Sequence, residues 1–204
     1  MQYGLHSSTN ISVCRGNLQE RISTQPKIEI FRLQLLNSYA VDFEREAFDR
    51  FMDGKPVNFM EIPGFKEWIA GIAKKRASGA RIINLNVLDL PLSDYIRFGI
   101  NSLRISKKSG QESRFVERKQ VLPLTRGFQD FWLFDSKTVM LVNYDKEGHF
   151  LSESNPITDP EVVSKHILVR DGLVEASLPM EAFLRQNKAD LISRPKPKRN
   201  KSKS

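Results

Sequence analysis

Hydrophobic and polar residues follow two different periods along the chain, and together these periods predict an α+β domain. Residues 28–39 and 80–90 alternate between apolar and polar side chains, as β-strands do, and the second run is rich in β-branched residues. Residues 64–78 carry apolar side chains three and four positions apart, the spacing of one helix face. We find no internal repeat. The pattern predicts a single compact domain with a mixed or antiparallel sheet flanked by helices.

Helix-end signals place two more helices in the first half of the chain. Asp42 begins one of them, because acidic side chains favour a helix N-terminus, and Gly54 ends it. Ser93 is expected to cap the next helix, which Gly110 ends. The pattern thus predicts strand, helix, helix, strand and helix in the order of the sequence.

The second half of the chain is richer in strands. Strands are predicted over 113–119, 130–135 and 137–145, with a loop around Pro123 and Gly127 and a closing hairpin after the third strand.

A last long helix is expected to begin with Thr158 as its cap, and Glu161 can reach back to complete a capping box. His166 lies on the apolar stripe of this helix. We therefore expect a buried histidine with its hydrogen bonds satisfied rather than a catalytic one.

The run DFWLFD at 130–135 carries the first clue to a binding site. Both faces of this strand are mostly apolar, which is typical of a strand covered on both sides. Trp132, like Trp68 in the helical segment, is expected to be largely buried. Asp130 and Asp135 would then lie at the rim of the sheet, where α/β folds place ligands. The alternative is that Asp135 only forms a hairpin turn and hydrogen-bonds its own backbone.

Other polar side chains could join these carboxylates, although the sequence does not show whether they converge. The candidate ligand-binding residues are Tyr95, Arg97, Arg114, Asp130 and Asp135.

Most of the net positive charge lies in the last twelve residues. The chain has 32 Lys and Arg against 24 Asp and Glu, a net charge of +8. Removing the six cations of 193–204 leaves about +2 for residues 1–192. A segment so basic and so poor in apolar residues is expected to be disordered, and it can bind nucleic acid weakly and nonspecifically. The alternative is a solubilising end with no dedicated partner. The candidate nucleic-acid contacts are Arg194, Lys196, Lys198, Arg199, Lys201 and Lys203. The expected division is a flexible leader over 1–26, a domain over 27–184 and a basic tail over 185–204.

Sequence motifs for common catalytic sites are missing. There is no glycine-rich phosphate loop and no nucleophile elbow, and the three histidines lack metal-ligand spacing. Cys14 is the single cysteine, so no internal disulfide can form. We predict no catalytic residue, no metal and no cofactor. The chain has no secretory signal pattern and no run of ~20 apolar residues, so we expect a cytoplasmic protein without a membrane segment.

Several short motifs in fixed order resemble a bacterial family catalogued as domain of unknown function 6879. The matching elements are Phe31-Arg32-Leu33-Gln34, Tyr39, Phe51, Gly54, Trp68, Arg81, the run PLSDYIRF at 91–98, the run GQESR at 110–114, and DFWLFD. The resemblance covers about 28–184. Gln34 and Gln111 depart from it, since the family usually has Glu there. The resemblance implies a cytoplasmic α+β domain, no established activity, and genes that often neighbour helix-turn-helix regulators.

The order of elements also resembles, remotely, half of a phospholipase D-like domain. Aligned on Asp135, the positions of that family's catalytic His and Lys hold Phe128 and Asp130. Phenylalanine cannot form a phosphohistidine, and a carboxylate would repel a phosphate. This resemblance therefore implies a related fold without its phosphodiesterase activity.

Three functions from different classes follow. The first is a non-enzymatic binding or regulatory accessory domain that acts with a DNA-binding regulator protein. The main alternative is an enzyme of unfamiliar type that uses Asp130, Asp135, Arg97 and Arg114 on a phosphorylated or nucleotide-like substrate. The third is a nucleic-acid-binding protein that acts through its basic tail.

Overall fold

The computed structural model describes residues 28–188. The predictions for the leader and for the six tail cations lie outside these residues. The strands are β1 (Glu29–Gln34), β2 (Arg81–Leu88), β3 (Gln111–Glu117), β4 (Phe131–Phe134), β5 (Thr138–Tyr144), β6 (Phe150–Glu153) and β7 (Leu178–Pro179). The α-helices are α1 (Arg45–Met52), α2 (Phe65–Ala77), α3 (Asp94–Lys108), α4 (Arg118–Thr125), α5 (Pro160–Ala176) and α6 (Met180–Gln186). Two short 3-10 helices cover Asp42–Glu44 and Phe59–Glu61.

The strands form one mixed sheet, and the α+β prediction is confirmed. Its strand order is β6-β5-β4-β1-β2-β3-β7. The first three strands of the chain, β1, β2 and β3, run parallel at the centre, while β4 joins β1 in the antiparallel sense. The later strands β5, β6 and β7 extend the two edges as antiparallel strands. None of the helices within 28–188 is long and apolar enough to cross a membrane.

One face of the sheet is apolar throughout its centre. Phe31, Leu33, Leu85 and Phe131 on this face are fully buried or nearly so, and they pack beneath α4 and α5. The opposite face is covered by α2 and α3, and α1 packs on α3. At the start of β1 and β2, this face carries an apolar cluster around Ile30. Further along the two strands, its side chains are polar.

The predicted start of the last long helix is one residue too early. Asp159, not Thr158, is the cap of α5: its carboxylate accepts from the backbone N–H groups of Glu161 at 3.1 Å and Val162 at 3.0 Å. A charged acceptor is favoured there because the helix N-terminus carries partial positive charge. The cap predicted at Ser93 is confirmed, since its hydroxyl accepts from the N–H of Ile96 at 3.2 Å.

The loop predicted around Pro123 is wrong, because α4 occupies this stretch with Pro123 inside it. Proline inside a helix costs about 3 kcal/mol. Burial of Val121 in the apolar core offsets part of that cost.

His166 is buried as expected, with Nδ1 2.7 Å from the carbonyl oxygen of Val162 and the ring 4.7 Å from that of Phe131. Trp68 and Trp132 are partly buried, and both pack against the apolar cluster around Ile30.

Candidate ligand-binding cavity

A cavity of about 340 Å³ lies between the polar face of the sheet and helices α2 and α3. It forms because α3 turns small residues toward the sheet: Gly99, Ser102 and Ser106 lie three and four positions apart, on one helix face. A Cβ atom added at Gly99 would meet nothing within 4 Å. The helix therefore leaves a space that its own side chains do not fill.

The floor of the cavity is a set of polar side chains on neighbouring strands. The sheet register places Arg32 of β1 beside Asn84 of β2, and Gln34 beside Asn86. Side chains two residues apart in a strand share a face, so all four project toward the same layer of helices. Gln111 of β3 adds a fourth carboxamide to the lining. Polar residues here interrupt an otherwise apolar sheet.

Arg32 is the charged centre of this floor. The residue is only 6% exposed, its Nη2 lies 3.2 Å from Asp130 Oδ2 and 3.0 Å from the Tyr144 hydroxyl, and its guanidinium stacks 4.9 Å from the ring centroid of Trp132. Burial acts to lower the pKa of Arg32, but the Asp130 carboxylate raises it, and the net result is a raised pKa and a permanent cation. Its Nη1 is buried and has no hydrogen-bond partner within residues 28–188.

Asp130 holds this arrangement together. Besides Arg32, its carboxylate accepts from the backbone N–H of Leu35 at 2.8 Å and from the Tyr39 hydroxyl at 2.7 Å. The three donors belong to β1 and the segment that follows it, and the carboxylate itself is nearly inaccessible. We conclude that Asp130 positions Arg32 and Tyr39.

Three tyrosines form an aromatic wall at one end of the cavity. The ring of Tyr39 lies 5.9 Å from that of Tyr95 and 5.0 Å from that of Tyr144. Burial, with the nearby Asp130 carboxylate, raises the pKa of Tyr39 well above its usual range, and burial beside Glu44 does the same for Tyr95. Burial also raises the pKa of Tyr144 to about 12. All three are neutral phenols at physiological pH.

The structure brings two of the five sequence-predicted ligand residues to this cavity. Tyr95 lines it, and its hydroxyl donates to Glu44 at 2.8 Å. Asp130 lies immediately before β4 and holds Arg32, which lines the cavity. The other three, described next, have contacts elsewhere in the fold.

Arg97 pairs with Asp94 on α3 at 3.1 Å. Arg114 donates to the hydroxyl and carbonyl of Ser177, and so joins β3 to the end of α5. Asp135 does form a hairpin turn, with φ of 51°, but its carboxylate accepts from the backbone N–H of Glu29 at 2.7 Å rather than from its own turn. Asp135 therefore holds the β4–β5 turn against the start of β1.

Sequence reasoning missed the residues of the cavity floor. Arg32, Gln34, Asn84, Asn86 and Gln111 were not among its site candidates, although the first two and the last lie in the motifs that carried the family resemblance. A usable signal was present. The runs IFRLQ and INLNV both place polar side chains at alternate positions of strands that are otherwise apolar, which is the pattern of a buried polar face.

A second group of polar side chains lies in the β5–β6 turn. The ligand atoms of Asp145, Glu147 and His149 lie within 4.8 Å of one another, close enough to hold a cation. However, the Asp145 carboxylate already accepts from the backbone N–H groups of Glu147 and His149 and bonds His149 Nδ1 at 2.9 Å. These hydrogen bonds within the turn explain why the three side chains lie together, with no need of a bound cation.

Comparison with known proteins identifies the family. The chain belongs to the family described as Domain of unknown function (DUF6879), whose model matches residues 17–185. The resemblance drawn from the sequence motifs is thereby confirmed. No curated protein is similar enough to count as a match.

Among solved structures, the chain is similar to a phospholipase D family member, Nuc from Salmonella typhimurium. The two are 10% identical, the match covers 81% of this chain and 89% of that chain, and the TM-score is 0.46. This likeness concerns the fold alone.

Proposed function

We propose that this domain binds a small organic molecule in the cavity without transforming it, and that it serves as a regulatory accessory domain in a bacterial cytoplasm. The observation that carries the proposal is Arg32, which lines a cavity of about 340 Å³ and keeps a buried Nη1 without a hydrogen-bond partner within 28–188. A buried donor left unsatisfied costs roughly 1–3 kcal/mol, and more when charged. A ligand acceptor that reached Nη1 from the cavity would recover that energy.

The size and the lining of the cavity also favour a ligand. Small-molecule sites typically measure about 300–1,000 Å³ and combine apolar walls with a few convergent polar groups. The walls here are aromatic, with Trp68, Phe65 and the three tyrosines, while the floor carries one guanidinium and four carboxamides. Such a combination holds a planar molecule and fixes its orientation.

The ionisation of the lining supports binding rather than catalysis. A general acid or base needs a pKa near the working pH. The shifted groups move the other way: the pKa values of Arg32 and the tyrosines are raised, away from neutrality. The lining residues that the structure describes include no His and no Cys, and of the two lining carboxylates, Glu44 and Glu153, the first accepts a hydrogen bond from Tyr95.

The enzymatic alternative rested on four residues acting together. Arg97, Arg114 and Asp135 have structural contacts outside the cavity, and Asp130 is occupied by three protein donors. The alternative therefore draws no support from convergence of that set.

The experiment uses Gly99 to close the cavity. The purified full-length protein is incubated with a bacterial small-molecule extract and washed, and the retained compounds are released and identified by mass spectrometry. Gly99→Phe fills the cavity, and Gly99→Ala is the matched control at the same position. The proposal expects a compound enriched on the wild type and on Gly99→Ala and lost on Gly99→Phe. No enrichment, or equal enrichment on Gly99→Phe, would overturn it.

Two precautions keep this test decisive. Circular dichroism and urea denaturation establish that each variant is folded. Ser102→Leu fills the cavity from the next turn of α3 and provides a second blocked variant if Gly99→Phe does not fold.

The regulatory part of the proposal has separate support and a separate test. Its support is the resemblance to a family whose genes often neighbour helix-turn-helix regulators. Affinity purification of the tagged full chain from its host should recover a DNA-binding regulator as a stoichiometric partner. Recovery of the chain by itself would contradict this part while leaving ligand binding intact.

A further inference from the structure

We infer that the ligand is an uncharged nucleobase or nucleoside, a planar heterocycle with ring carbonyl and N–H groups. This inference rests on the proposed binding function and names the chemistry of the same cavity. It is drawn from the hydrogen-bonding groups of the floor, the aromatic walls and the charges of the lining.

The floor offers both donors and acceptors within a small area. Each carboxamide has an acceptor oxygen and a donor NH₂ group. Asn86 Nδ2 donates to Asn84 Oδ1 at 3.0 Å. This bond leaves the NH₂ group of Asn84 and the side-chain oxygen of Asn86 for other partners. Asn86 and Gln111 are also buried. The edge of a nucleobase, where carbonyl and N–H groups alternate, complements such a set.

Arg32 supplies the matching donor for a ring carbonyl. Its Nη2 is held by Asp130 and Tyr144, so the guanidinium is fixed in place while Nη1 keeps its hydrogen atoms for a further acceptor. Guanidinium groups pair with carbonyl and ring-nitrogen acceptors of bases in this way.

The walls suit a flat ring. The indoles of Trp68 and Trp132 lie 6.4 Å apart at 64°, and the tyrosine wall lies at one end of the cavity. Bases stack readily on aromatic side chains because every base has a π-face.

The charges of the lining argue against a phosphate. Arg32 is balanced by Asp130 at 3.2 Å, and Glu44 and Glu153 also line the cavity. The local balance is negative, so a dianionic phosphate would be repelled. The same repulsion disfavours a base within a nucleic-acid strand. We therefore favour a free nucleoside or base.

The binding experiment compares probes that differ in one property. Isothermal titration calorimetry of the full-length protein uses guanosine, adenosine, cytidine and uridine, their 5′-monophosphates, and a short single-stranded oligonucleotide. Benzoate and tyramine serve as an anionic and a cationic ring without a base edge. The expected result is saturable binding of at least one nucleoside, with its monophosphate about tenfold weaker or more.

Matched variants test the assigned contacts. Asn84→Leu keeps the approximate volume and removes the carboxamide, and loss of its hydrogen bonds should weaken the nucleoside Kd by roughly tenfold. Asn143→Leu removes an amide outside the cavity lining and should leave the Kd unchanged. Arg32→Lys keeps the positive charge beside Asp130 but removes Nη1, and it should weaken binding as Asn84→Leu does.

Each outcome has a distinct meaning. If no nucleoside binds, or if a monophosphate or the oligonucleotide binds more tightly than the nucleoside, the inference is overturned. Binding of benzoate or tyramine only would overturn it as well, while the proposed binding function would stand. The extract experiment decides that function independently, because it needs no assumption about the ligand's class.

Discussion

The buried ion pair between Arg32 and Asp130 gives the sharpest test of the site's construction. The two charges lie 3.2 Å apart, and their side chains are 7% and 2% exposed. At an effective dielectric constant of about 20, their attraction is about 5 kcal/mol. Removing one partner leaves the other charge buried and unpaired, which costs about 3–5 kcal/mol. We expect this loss in the unfolding free energy of Arg32→Met, and a similar loss in Asp130→Asn.

The double variant separates an unpaired charge from lost packing. Arg32→Met combined with Asp130→Asn buries no charge, so it should be about 2 kcal/mol more stable than Arg32→Met. The measurement is urea denaturation followed by fluorescence and circular dichroism, with the slope compared between variants. Lys165→Met, which breaks the exposed pair with Glu161, is the control and should cost about 0–1 kcal/mol.

Two results would refute this reasoning. The first is a loss below about 1 kcal/mol in both single variants, which would mean that water or movement compensates the charge. The second is a double variant whose loss equals the sum of the single losses, which would mean that the two groups are not energetically coupled.

Four further predictions concern separate features. Gly99→Ala should stabilise the protein by about 1 kcal/mol, seen as a higher melting temperature, because a helical glycine gains a Cβ that meets nothing within 4 Å. The pKa of Tyr144 is about 12 in the folded protein against about 10 unfolded, so stability present below pH 10 should fall between pH 10 and 12, and urea midpoints should show a smaller fall in Tyr144→Phe. Asp159→Ala should cost about 1 kcal/mol in urea denaturation, through loss of the α5 cap. Deleting 193–204 removes six cations and should abolish most nonspecific DNA binding at low salt, measured by fluorescence anisotropy.

Local patterns predicted most of the fold, because the relevant interactions are close in sequence. The apolar spacing of 64–78 corresponds to α2, and the alternation of 80–90 to β2. The cap of α5 was predicted one residue too early, because Thr158 and Asp159 are adjacent and both have side chains that can cap a helix. The helix at Pro123 could not be read from the sequence, since it depends on tertiary burial of Val121.

The cavity was harder to predict, because its lining is assembled across strands. Arg32 meets Asn84 through the parallel register of β1 and β2, and it meets Asp130 through a contact 98 residues away in the chain. The alternating polar residues of IFRLQ and INLNV signal a buried polar face, but they do not show which residues on other strands lie beside it. Asp130 was correctly selected as a site candidate from the sequence, but its ion-pair partner, the guanidinium of Arg32 in β1, was not. Trp68 and Trp132 pack against an apolar cluster and also line the cavity, which leaves their indoles partly exposed.

The unequal covering of the two sheet faces has a consequence for how the proposed ligand would enter. The α4–α5 side is a continuous apolar core, whereas the α1–α3 side encloses a cavity, and α1 itself contains no fully buried residue. Local opening costs least where few apolar groups are buried. Backbone amides of α1 and α2 should therefore exchange with deuterium sooner than those of α5 or the central strands. We expect the helices over the cavity to separate from the sheet more readily than α4 and α5 do, which would give the proposed ligand a way in while the opposite side keeps the domain folded.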